Sequence, residues 1–128
     1  MDKHGGHGEL VSGFFKEQQK VFDTSSQAMY AFLDDDCRVC NQKFATLLGY
    51  ASSEEWFKVN VQGAFPDAFV EDKSQHALVS AYQNAMEKMA GATIKVTWKK
   101  KSGGTVDTTV ILVPVAYKNH LFALHFIS

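Results

Sequence analysis

Two cysteines three positions apart, Cys37 and Cys40, and five histidines are the side chains of this chain best suited to chemistry. A Cys-x-x-Cys pair becomes a redox couple when a helix N-terminus lowers a thiol pKa, and Cys40 directly precedes a helix-start signal at Asn41. On a strand, however, residues three apart point to opposite faces, and Cys37–Cys40 reads as a strand. A tetrahedral zinc site needs about four ligands, and no second cysteine pair exists. Both cysteines therefore read as structural. His4 and His7 are separated by glycines, which suits a solvated tail better than a metal site. Asp34–Asp36 lacks the alternating spacing and distal Glu of a calcium loop and reads as a charged turn. His120 and His125 flank the last apolar run with no orienting acid indicated by the sequence. There is no Gly-x-Ser-x-Gly elbow, phosphate loop or dinucleotide fingerprint, so no enzyme is expected.

The elements that must position these groups are those of one domain. At 128 residues the chain can bury roughly two thirds of its unfolded surface, and needs neither metal nor disulfide to fold. A composition 45% apolar, with 10 Phe, 2 Trp and 4 Tyr, supplies a globular core. The formal charge of −1 and the lone basic tip Lys99–Lys101 give no footprint for nucleic acid or an anionic membrane. No apolar run approaches the ~20 residues that span a bilayer, and the start MDKHGGHG is not a signal peptide. The cytosol is the expected compartment, since two cysteines are too few for a secreted disulfide framework.

Residues 1–8 are expected to form a disordered tail and 9–22 an amphipathic helix carrying Leu10, Val11, Phe14, Phe15, Val21 and Phe22, weakened at Gly13. Residues 23–128 form the domain proper. Ala28–Leu33 and Cys37–Cys40 read as a strand hairpin. Asn41 caps a helix Gln42–Leu48 that Gly49 stops, and Ser52 or Ser53 opens a second with Glu54 and Glu55 in its first turn. Gly63–Phe69, with Pro66, reads as an irregular connection. A longer helix runs from about Glu71 to Met89 on a stripe of His76 or Ala77, Leu78, Val79, Tyr82, Ala85, Met86 and Met89, and Gly91 closes it. Three strands follow: Ala92–Lys100, Val106–Val115 and Leu121–Ile127, turning at Ser102-Gly103-Gly104 and Lys118-Asn119. Pro114 must lie at an edge or a bulge, because it lacks a ladder donor.

The order β-β-α-α-α-β-β-β and the segment Asn41-x-x-Phe44-x-x-Leu47-Leu48-Gly49-Tyr50, followed by Ser52-Ser53-Glu54-Glu55, resemble the PAS (Per-Arnt-Sim) domain family from about Val21 onward. Asp34–Asp36, Glu71-Asp72, Lys101–Thr105 and Pro114-Val115 are weaker matches in the right order. Cys37 departs from the pattern where the family usually has a turn Gly, and Ile127-Ser128 replaces the closing Asp-Ile-Thr that begins the link to an output domain in larger relatives. The expectation is that the protein acts in trans or has its partner domain outside this chain.

The resemblance implies an α+β fold: a five-stranded antiparallel sheet in the order 2-1-5-4-3 with short helices on one face. It also implies a non-enzymatic sensory or regulatory role in signal transduction. The family often has an apolar cavity between the long helix and the sheet. Its candidate walls are Phe32, Phe44, Leu48, Trp56, Phe57, Leu78, Tyr82, Met86, Val96, Trp98, Thr109, Ile111, Phe122 and Leu124, with His125 as a further polar candidate. The ligand is left open, as is a core filled by its own aromatics, which would make the chain a pure protein-interaction module. Some family members bind haem through a histidine on the long helix, but DKSQHALVSAY around His76 does not match that pattern. Nor does Cys37-Arg38-Val39-Cys40 match the Asn-Cys-Arg-Phe-Leu-Gln type motif of the light-sensing branch. The cofactor is thus unknown, and none is required. A homodimer is expected through Leu10, Val11, Phe14, Phe15, Val21, Phe22, Val110 and Leu112, or the same helix covers the outer sheet face in cis. A signalling protein in trans is a further expected partner.

Overall fold

The computed structural model describes residues 7–34, 37–59 and 68–128. The turn at 35–36, most of the Pro66 connection and the tail 1–6 lie outside the described residues. The elements are α1 (His7–Thr24), β1 (Ala28–Asp34), β2 (Cys37–Cys40), α2 (Gln42–Leu47), α3 (Ser53–Lys58), α4 (Asp72–Lys88), β3 (Ala92–Lys99), β4 (Thr105–Tyr117) and β5 (His120–Ile127). The strands form one antiparallel sheet in the order β2-β1-β5-β4-β3, as the resemblance implied.

Local chemistry sets the helix boundaries. Asn41 Oδ1 accepts from the Phe44 N–H at 3.0 Å to start α2, and Gly49, at φ 87°, ends it. Ser52 Oγ accepts from Glu55 N–H, while Glu55 reaches back to the Ala51 N–H and across to Lys101, so the β3–β4 hairpin tip is fastened to α3. Met89 takes the left-handed conformation after α4 at φ 53°, so the stop comes two residues before the expected Gly91. Lys118 and Asn119, at φ 46° and 66°, form the two-residue turn that suits the right-handed twist of β4 and β5.

Strand alternation divides the molecule into two layers. The inner face presents Tyr30, Cys40, Val96, Trp98, Val110, Leu112, Ala123 and Ile127 to α2, α3 and α4. The outer face presents Met29, Ala31, Phe122, Leu124 and Phe126, and α1 lies over it with Phe14 and Phe22 buried. Phe14 stacks on Phe122 at 4.5 Å and meets Tyr117 edge-on. The amphipathic stripe thus covers the sheet in cis.

This layering corrects the sequence reading of β4 and β5 by one residue. Thr109, Ile111, Phe122 and Leu124 point outward rather than into the inner site, while Val110 and Leu112 point inward rather than to a dimer interface. A one-residue slip in phase transfers every side chain to the other face. Here both faces are covered, so β5 carries apolar residues on both faces and shows no clean alternation to read.

At Gly13 α1 lies close against Tyr117 of β4: a Cβ there would meet the Tyr117 hydroxyl oxygen at 2.8 Å. In an exposed helix Gly→Ala gains about 1 kcal/mol. Here Gly13→Ala is expected to yield no gain in a urea melt, and to recover it in a Tyr117→Phe background. An equal gain in both backgrounds would show that the contact does not matter.

Candidate functional site

The inner site is built around Tyr30. Its ring lies 5.0 Å from Phe44, 5.8 Å from Trp56, 5.7 Å from Trp98 and only 3.9 Å from the parallel imidazole of His125. β1 and β5 bring Tyr30 and His125 together as register partners, while α2 and α3 deliver Phe44 and Trp56 from above. Trp98 Nε1 donates to Thr108 Oγ1 at 2.8 Å, and that hydroxyl donates to the Val96 carbonyl. Rings thus pack against rings, and Leu48, Leu78 and Val96 join the same cluster.

The side chains at the other end of the inner face are less fully buried. Phe32 meets Tyr82 edge-on at 5.3 Å, and both, with Met86, are only partly buried around Ala85, Leu112 and Ala123. Two of those neighbours are alanines, and the larger side chains packed against them are Met86 and the Phe32 and Tyr82 rings.

Charge enters the inner layer at Arg38, which sequence reasoning weighed only as part of a failed flavin motif. It is 1% exposed, and Nη2 donates to the carbonyls of Phe57 and Val59 at the end of α3. The guanidinium lies 4.9 Å from the Trp56 ring centre and 5.2 Å from that of Phe69. A cation on the terminal carbonyls of a helix complements its negative end. The signal was a charged residue at the inward phase of β2, the phase Cys40 shares. Arg38→Met keeps the stem but leaves those carbonyls without their cation. It is expected to cost roughly 2–3 kcal/mol in a urea melt, the range for a hydrogen bond to a charged group; an unchanged midpoint would show that water serves them equally well.

The remaining candidates separate by burial. Cys40 is buried, and desolvation pushes its thiol far above the ordinary range, so it is not a thiolate nucleophile at neutral pH. The side chain of Cys37 lies outside the described residues, as do those of Leu10 and Val11. Phe57 is 38% exposed and is corrected from a pocket wall to the outer side of α3, two positions past the capped turn. On α4, Ser74, Leu78 and Ala85 face the sheet, whereas His76 is exposed with Ser80 Oγ 3.4 Å from Nε2. Val79 and Met89 of the expected stripe are exposed as well. His76 points away from the sheet and so does not fit an axial haem ligand held between α4 and the strands. Among the described residues no group of three or more His, Cys, Asp or Glu is placed to hold a metal, and no helix is long and apolar enough to cross a membrane.

One antiparallel sheet with a helical layer over an aromatic site, and a leading helix across its back, is the α+β architecture that the resemblance implied. A family model described as PAS domain matches residues 16–81, and this chain belongs to that family, whose members are typically sensory signalling modules. A comparison with curated proteins finds no match. Among solved structures, the PAS domain of a protein from Colwellia psychrerythraea aligns with a TM-score of 0.69 at 20% identity, covering 90% of this chain and 95% of that one. The PAS domain of a two-component sensor histidine kinase gives 0.66 at 17% identity, with 91% and 96% covered. A LOV protein from Rhodobacter sphaeroides gives 0.67 at 16% identity, covering 91% of this chain and 66% of that one. Likeness at these identities is likeness of fold.

Proposed function

We propose that the chain is a non-enzymatic sensory or regulatory domain that takes a small, largely apolar ligand at the Phe32, Tyr82 and Met86 end of the inner site. Occupancy would be transmitted to a partner protein through α1 and the sheet beneath it. The observation that carries this reading is the contrast between the two ends of the inner face. Trp56, Trp98, Phe44 and Tyr30 pack closely with one another, while Phe32, Tyr82 and Met86 are partly buried around two alanines. A mostly apolar wall with one phenol suits a ligand that is oriented by a single polar group. The test is native mass spectrometry of freshly purified protein. A retained mass that disappears in a Met86→Trp variant, in which the indole fills the space, is expected; wild-type protein that carries no added mass and binds nothing from a hydrophobic fragment library would overturn the ligand.

The filled Tyr30 cluster favours a second reading, a pure interaction module in which the core only supports a docking surface. With Phe14 and Phe22 buried against the chain's own sheet, pairing of two copies would draw on apolar side chains left outside, such as Val21 and Ile111, 50% and 44% exposed. Homodimerisation and a cytosolic setting belong to this proposal.

A further inference from the structure

Asn41 stands where the two layers meet, and its side chain uses all its hydrogen-bonding capacity on four backbone groups of three elements and a linker. Oδ1 accepts from Phe44 N–H at the start of α2 (3.0 Å) and from Met29 N–H in β1 (3.1 Å). Nδ2 donates to the Phe22 carbonyl in the last turn of α1 (3.1 Å) and to the Gln27 carbonyl between α1 and β1 (2.9 Å). Its own N–H also donates to the Met29 carbonyl, so the residue is fixed from both backbone and side chain. Asn41 is 3% exposed, so water is a poor substitute for any of these partners.

The two ends of this amide serve opposite sides of the sheet. The acceptor end holds α2, whose Phe44 is one wall of the Tyr30 cluster on the inner face. The donor end holds the C-terminal turn of α1, whose Phe14 and Phe22 seal the outer face. A rotation or shift of α2 therefore acts on α1 through one rigid planar group. By linkage, undocking of α1 must loosen the α2 cap to the same degree.

We infer that Asn41 is a positioning residue that couples the docking of α1 on the outer face to the seating of α2 in the inner site. Asn41 bonds directly to elements of both layers. The inference deepens the sensory reading, because it names the link between the inner site and α1, and its test needs no ligand.

Asn41→Asp separates the two ends. A carboxylate caps α2 and accepts from Met29 as well as the amide does, but it has no donor and places a negative charge against the Phe22 and Gln27 carbonyls. Amide hydrogen exchange of the full chain, resolved by peptide, is expected to quicken at least about tenfold in the last two turns of α1, the scale of one lost net hydrogen bond, with α2 protected. Equal protection of α1 in variant and wild type would overturn the coupling, as would equal loss in α1 and α2. Should the variant not fold, Phe14→Leu loosens α1 from its other end. The Phe44 and Met29 amides are then expected to exchange faster while amides of β3 do not, and unchanged Phe44 and Met29 amides would overturn the inference. A failure here leaves the ligand proposal standing, and an empty inner site leaves this coupling testable.

Discussion

Between pH 6.5 and about 3 the domain is expected to lose roughly 1.4 kcal/mol of stability per pH unit through His125 alone. The imidazole is buried, stacked on Tyr30 and bound through Nδ1 to the Ala123 carbonyl; burial pushes its pKa from 6.5 down to about 3, against the opposing pull of backbone hydrogen bonds. The folded state therefore stays neutral where the unfolded chain takes up a proton, so acid favours unfolding. This contribution to stability is full above about pH 6.5 and falls away as the pH drops towards 3, amounting to roughly 4–5 kcal/mol. His125→Phe preserves a ring against Tyr30 and removes the titration. Urea melts from pH 7 to 4 should show the steep slope in the wild type and a much flatter one in the variant. Parallel slopes would mean that other groups govern the acid response.

Phe14→Asp is expected to detach α1. It removes a ring that is 1% exposed and stacked on Phe122, a loss of about 4 kcal/mol on truncation alone, and sets a carboxylate against apolar side chains. The uncovered surface comprises Met29, Ala31, Phe122, Leu124 and Phe126 on contiguous strands, an apolar patch of the kind that drives association. Sedimentation velocity should then show concentration-dependent self-association beyond that of wild type at the same concentration. A variant that sediments like wild type and keeps its urea midpoint would place the stabilising burial of α1 elsewhere.

How much of this was legible in the sequence depended on how local the signal was. Asn41, Gly49, Ser52 and Lys118-Asn119 act within a few residues, and each cap or turn falls where its side-chain chemistry required. The strand order came from the resemblance. β3 alternates cleanly, so the inward set Ile94, Val96 and Trp98 was readable. β4 and β5 do not, and the faces assigned to Ile111, Phe122 and Leu124 were inverted because α1 covers what would otherwise be a polar side. Arg38 and the four-way bonding of Asn41 were hidden for another reason. Apart from the readable three-residue cap of Asn41, their partners lie 12 to 21 residues away, and no spacing rule reports contacts of that range.

The placement of Pro114 has a consequence for how the protein behaves in a crowded solution. Thr109 exchanges both backbone bonds with Ser128, so odd-numbered residues of β4 bond towards β5 and even-numbered ones towards β3. β3 begins at Ala92 opposite Leu112, so among the described residues the stretch from Val113 to Tyr117 has no strand partner on that flank. Pro114 turns its hydrogen-free nitrogen to that flank, breaking the row of donors that a stray extended chain would need as a template. Replacing it with Val would restore a donor to that row and leave the flank readier to pair with another extended chain.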